Sequence, residues 1–121
     1  MKNEMNILVS DIPREGILRL TMDDQKSSNA LSEEMMSILI KAIERASIDD
    51  SVKVIILAAE GGIFSSGHNL KQITDAREQS EDGEPYFKQL FDQCSSLMQL
   101  VVNCPKPVIA QISGIATAAG C

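Results

Sequence analysis

Two stretches of glycines and small residues carry the chemistry that this sequence offers. The first is Gly61-Gly62-Ile63-Phe64-Ser65-Ser66-Gly67-His68-Asn69-Leu70-Lys71, and the second is Gly114-Ile115-Ala116-Thr117-Ala118-Ala119-Gly120-Cys121. Each follows an apolar run. Glycine and small residues let a backbone turn sharply and come close to a ligand. Both stretches are poor in reactive side chains, so a site built from them uses backbone N–H groups rather than a nucleophile. Taken singly, each reads as a tight structural connection rather than a site; their joint occurrence after two buried strands raises the site reading. Ser65, Ser66 and His68 do not form a G-x-S-x-G elbow, and a hydrolytic triad is defined by geometry, not by proximity along the chain. His68 is the single histidine, without a surrounding Cys, His and carboxylate cluster, so no metal site is expected. The phosphate-loop and dinucleotide fingerprints are both absent.

The elements that must position these stretches follow from apolar periodicity. Asn6 to Ile12 and Ile17 to Thr21 read as a strand hairpin around Pro13-Arg14-Glu15-Gly16. Asp23 to Asn29 is a polar loop. Ser32 is a plausible N-cap, with Glu33 and Glu34 suiting the positive end of a helix. Leu31, Met35, Ile38, Leu39, Ala42, Ile43 and Ala46 then recur at helical spacing, with Met35 and Met36 as core fillers. Val52 to Ala59 is an almost continuous β-branched run, expected to be covered on both faces as in a parallel sheet. Thr74 to Glu84 is acidic and predicts a mobile surface loop, with a lid beside a site as the functional alternative. Pro85 suits the first turn of a second helix, on which Phe87, Leu90, Phe91, Cys94, Leu97, Met98 and Val101 share a face. Pro105 and Pro107 end it. Val108 to Ile112 predicts a further buried strand, and Ala116 to Gly120 the start of another helix.

Composition narrows the function classes. The chain has 121 residues, 44% hydrophobic content and a formal charge of −6, consistent with one modest globular domain. Aromatics are 3% and no basic cluster stands out, so nucleic-acid binding has little support. No apolar run approaches the ~20 residues of a membrane span. Cys94, Cys104 and Cys121 form no CxxC, and buried, reduced thiols are expected. The first residues carry no recognisable signal or transit character and are expected to be disordered through residue 5.

In order along the chain, four stretches resemble the enoyl-CoA hydratase/isomerase, or crotonase, family. They are Asn29-Ala30-Leu31-Ser32, Val54 to Ala58, Phe64 to Lys71, and Pro105 to Gly114 with Ala116 to Cys121. The resemblance implies an α/β fold, a crotonase-like ββα superhelix, with residues 1–121 as a truncated, N-terminal part of a single domain. It implies an acyl-CoA thioester as ligand, no separate cofactor, and an oxyanion hole made by the backbone N–H groups of His68 and Ala119, the latter near a helix N-terminus. Asn29, Ala30, Leu31, Ser66, Gly67, Leu70 and Lys71 would line the ligand path, and Lys71 is either a phosphate contact or a surface lysine.

The sequence departs from the family pattern at three places. Asn69 stands where Asp is frequent, Ala118-Ala119 replaces a more glycine-rich run, and the positions of the family's catalytic carboxylates lie beyond Cys121. Hydration needs a general acid/base pair, so these residues alone are expected to lack that activity. The leading expectation is an acyl-CoA protein of fatty-acid metabolism; the alternative is a non-catalytic pseudoenzyme or truncated isoform acting through acyl-CoA or partner binding. A mitochondrial location is implied by resemblance, with the cytosol possible. A homo-oligomer is implied only for a complete family member.

Overall fold

The computed structural model describes residues 7–68 and 84–121. The expected disorder of residues 1–5, and the acidic loop apart from Glu84, lie outside them. Strand β1 (Leu8–Arg14) and strand β2 (Ile17–Met22) form the expected antiparallel hairpin, with Gly16 at φ +85 in its turn. β1 runs two residues further than expected, through Pro13 to Arg14. The register is irregular between Asp11 and Arg14, and β1 lies at the sheet edge, where a residue without an N–H is tolerated.

Helix α1 (Glu33–Ser47) begins as the sequence predicts. Ser32 Oγ accepts the Met35 N–H at 3.1 Å, satisfying one otherwise unpaired donor. Met35, Met36, Leu39, Ile43 and Ala46 are all buried on its inner stripe. The far end is held by a residue that the sequence reading did not single out. Lys106 Nζ donates to the Ala46 carbonyl at 2.6 Å and to the Asp49 carbonyl. A cation there complements the negative end of the helix dipole. Asp49 stabilises the turn beyond the helix by accepting from both the N–H and the hydroxyl of Ser51, which holds its carboxyl below the usual range.

Strand β3 (Val54–Ala59) pairs in parallel with β2 on one side and with β5 (Val108–Ala110) on the other, giving the sheet order β1-β2-β3-β5. The inner face presents Leu20, Met22 and Ile55, each no more than 1% exposed, to the core formed with α1. Burying one such side chain stabilises the fold by about 1.5–3 kcal/mol.

Helix α2 (Glu84–Asn103) packs on α1 through Leu90 and Leu97, with Cys94 half-buried between them. Burial pushes the Cys94 thiol up. Gln93 Nε2 donates to the Glu33 carbonyl at 3.2 Å. The Tyr86 hydroxyl is pushed up to about 12, first by burial and then by its hydrogen bond to Glu33 and that group's charge. These contacts tie α2 to the first turn of α1.

Several expectations are corrected. Every residue of β3 is buried or half-buried, with Ile55 and Ala58 buried on opposite faces, whereas β5 is less covered than a buried strand would be. Ile109 on the outer face is 51% exposed, and β5 stops at Ala110 rather than Ile112. On α2, Phe91 and Met98 are 54% and 38% exposed and stand outside the buried line. Cys121 is exposed, and Cys94 and Cys104 are half-buried; all three thiols are free. Ala118–Gly120 forms a 3₁₀ turn.

Replacing Lys106 with Met keeps most of its apolar stem but removes both donations to the end of α1. We expect a loss of roughly 1–2 kcal/mol, read as a lower urea midpoint at unchanged slope. An unchanged midpoint would show that the ammonium contributes nothing to the helix end.

Candidate active site

The site begins with Asn29, which is 1% exposed and sits at φ 54, a conformation that Asn tolerates better than most residues. Its Oδ1 accepts the Asp24 N–H at 2.7 Å, and its Nδ2 donates to the carbonyls of Glu60 (3.1 Å) and Ile63 (2.9 Å). Asn29 thus joins the loop before α1 to the turn after β3. Ala30 and Leu31 are 2% and 5% exposed. They face inward, and the Asn29 amide is committed to backbone partners.

That buried loop holds the first glycine stretch. β4 (Ile63–Ser65) leads into it. Ser65 is 1% exposed; its Oγ donates to the Asn29 carbonyl at 2.8 Å and accepts the Gly67 N–H at 3.3 Å. Ser66 donates its N–H to the Ser28 carbonyl and its hydroxyl to the Ser27 carbonyl, both at 3.2 Å. Ser27 in turn donates to the Asp24 carboxylate at 2.7 Å. Leu31 N–H donates to the Gly67 carbonyl at 2.6 Å, within a parallel bridge between Leu31 and His68. A trans peptide is planar, with its C=O and N–H pointing in opposite directions. Holding the Gly67 carbonyl toward Leu31 therefore aims the His68 N–H the other way. That N–H has no acceptor among the described residues.

The second glycine stretch is brought alongside by β6 (Ile115–Ala116), which pairs in parallel with β4. Ile115 N–H donates to Gly62 O at 3.3 Å, and Thr117 N–H to Ser65 O at 3.0 Å. Glycine is needed where the stretches touch. A Cβ on Gly114 would overlap the Gly62 carbonyl, and one on Gly120 would lie 2.6 Å from the Ser65 carbonyl oxygen. In the turn Ala118–Gly120, Gly120 donates to the Thr117 carbonyl at 2.8 Å and Cys121 to the Ala118 carbonyl at 3.1 Å. By the same planarity, the second bond aims the Ala119 N–H, which also lacks an acceptor among the described residues. The two stretches meet at Gly67, where a Cβ would lie 3.2 Å from the Ala119 nitrogen.

The structure thus brings Ser66, Gly67, His68 and Ala119 together. Leu70 and Lys71 lie outside the described residues, as does Asn69. His68 is half-buried, and its ring forms a T-shaped pair with that of Phe91, centroids 5.8 Å apart. Its Nδ1 is buried and has no hydrogen-bond partner among the described residues. The sequence reading missed the Asp24–Ser27–Ser66 network and the Phe91 contact. The run of Asp, Ser and Asn before α1 was the available signal for the first, since these residues bond local backbone. No described group of His, Cys and carboxylates could hold a metal ion, and no described helix is long and apolar enough to cross a membrane.

Replacing Gly67 with Ala should destabilise the chain by roughly 2–4 kcal/mol, combining the left-handed backbone with crowding. Gly67 sits at φ +87, and an added Cβ would lie 2.9 Å from the Ala118 methyl. Ala118→Gly should recover about 1 kcal/mol more in the Gly67→Ala background than alone, because it removes the crowding methyl. Additive effects in a denaturation double-mutant cycle would contradict this contact.

Comparisons with known proteins agree with this architecture. The family model for enoyl-CoA hydratase/isomerase matches residues 13–121. The mitochondrial enoyl-CoA hydratase domain-containing protein 3 of Xenopus laevis is 44% identical over 106 residues, covering 88% of this chain and 34% of that protein. The human protein of that name is 41% identical over 107 residues, again covering 88% of this chain and 34% of the relative. The chain thus spans about a third of the length of these curated relatives. Among solved structures, an enoyl-CoA hydratase from Mycobacterium smegmatis superposes with a TM-score of 0.85 at 38% identity, over 95% of this chain and 43% of that one. The structure of the human domain-containing protein 3 gives 0.84 at 38% identity, with the same coverage. With the four-stranded sheet and the paired glycine stretches, these matches establish that the chain belongs to the enoyl-CoA hydratase/isomerase family and carries its crotonase fold.

Proposed function

We propose that the chain binds a coenzyme A thioester by its carbonyl oxygen, held between the backbone N–H groups of His68 and Ala119. One observation carries this reading. Two N–H groups without acceptors among the described residues stand on adjoining loops, each aimed by a hydrogen bond to the carbonyl of its own peptide. Family membership supports the thioester as the ligand class.

The chemistry follows from the donors. Reactions beside a thioester carbonyl build negative charge on its oxygen as an enolate-like state forms. Donors already aimed at that oxygen need no reorganisation when the charge appears, and losing one such donor typically costs about 10²–10³ in rate. The described aspartates with paired side chains are engaged by other residues: Asp11 by Arg19, Asp23 by Gln25, Asp24 by Ser27, Asp49 by Ser51 and Asp92 by Lys88. The described donors therefore supply polarisation of the thioester. We assign proton transfer, and with it the choice between hydration and isomerisation, to no described residue. A role in fatty-acid metabolism belongs to the same proposal, as does a mitochondrial location, which the names of the relatives support.

The direct test is an amide-to-ester replacement at Ala119, which deletes the N–H and keeps the side chain. Cys104 provides a ligation point for a synthetic 104–121 segment. The ester form should bind butyryl-CoA about 5–10-fold more weakly, the value of one hydrogen bond, while retaining the far-ultraviolet dichroism of the parent. Equal affinity of the two forms would remove Ala119 from the site.

A further inference from the structure

We infer that Phe91 is a positioning residue for the His68 donor, an assignment that rests on the proposed thioester site. Phe91 lies on α2 yet outside that helix's buried line, with 54% of its surface exposed. Core packing does not account for a large aromatic placed so. What it does touch is the His68 ring, edge to face at 5.8 Å and 75°. That contact joins α2 directly to the residue that carries the first donor.

His68 has reason to need it. Its Nδ1 makes no hydrogen bond among the described residues, so no polar partner of that atom fixes the ring. On its N-terminal side stands Gly67 at φ +87, which lets the peptide plane between them rock. One hydrogen bond, from Leu31 to the Gly67 carbonyl, resists that rocking at the carbonyl end. The Phe91 contact restrains the other end, because a held side chain restricts the backbone to which its rotamer is coupled. An aromatic pair of this geometry is worth about 2–10-fold in an equilibrium constant.

Two readouts test the assignment, and the first needs no ligand. His68 is the only histidine, so its ring protons are assigned without ambiguity in a proton spectrum of the 121-residue chain. They should show a ring-current shift that Phe91→Leu abolishes and Phe91→Tyr preserves. The second readout is butyryl-CoA affinity, expected to fall about 2–10-fold in Phe91→Leu and to be rescued in Phe91→Tyr. Val102→Ala, at an 81% exposed position of the same helix, should move neither readout. A His68 ring without the shift in the parent chain would overturn the contact. A lost shift with unchanged affinity would overturn the positioning role. Absence of any butyryl-CoA binding by the parent would instead overturn the thioester reading, and the positioning role with it, while the ring contact would still be reported by the first readout.

Discussion

The geometry of the site depends first on the hydrogen bond from Leu31 N–H to the Gly67 carbonyl. It is a backbone contact, so its direction is set by the chain path rather than by a rotamer. Its partner in function is the other end of the same peptide. Because the plane is rigid, fixing the carbonyl fixes the N–H of His68. The preceding architecture holds Leu31 in place. Ser32 caps α1 immediately after it, the Asn29 amide holds the loop before it, and the inner stripe of α1 is buried against the sheet. Helix and donor are therefore tied together through the backbone, with the Phe91 contact as the further restraint.

The second donor is brought to the first by strand pairing. β4 and β6 run parallel, and the chain after each turns toward the other. Side chains are excluded where they meet. Gly67, Gly114 and Gly120 each lack room for a Cβ, for steric reasons that can be named atom by atom. Ala118 is the exception in this region, a non-glycine residue at φ 50 whose methyl lies against Gly67. Left-handed backbone costs roughly 1–2 kcal/mol in a residue with a Cβ, so this turn holds a strained residue beside the proposed donor.

Much of this was legible in the residues. The Ser32 cap, the α1 stripe, the hairpin and the two glycine stretches follow from local spacing and turn chemistry, and local rules act whatever the rest of the chain does. What was not legible depends on placement in space. The spacing of Phe91 on a helical face does not reveal that Leu90 and Leu97 face α1 while Phe91 faces His68. The apolar character of Val108 to Ile112 does not reveal that Ile109 and Ile112 are left exposed. Lys106 read as part of a Pro-Lys-Pro helix stop, and its bonds to the end of α1 span 60 and 57 residues. The resemblance places Asn29, Ala30 and Leu31 along a ligand path; what it does not reveal is that their side chains are buried and support the peptide that carries the proposed donor.

The central claim is that the backbone recognises a thioester carbonyl oxygen. The most direct measurement compares butyryl-CoA with butyl-CoA, the thioether in which a methylene replaces the carbonyl, by calorimetric titration of the chain. The account predicts that the thioester binds at least ~10-fold more tightly, since only it offers an acceptor to the two N–H groups. Equal affinities would mean that the nucleotide or the alkyl chain carries recognition, and that the two N–H groups do not hold the oxygen.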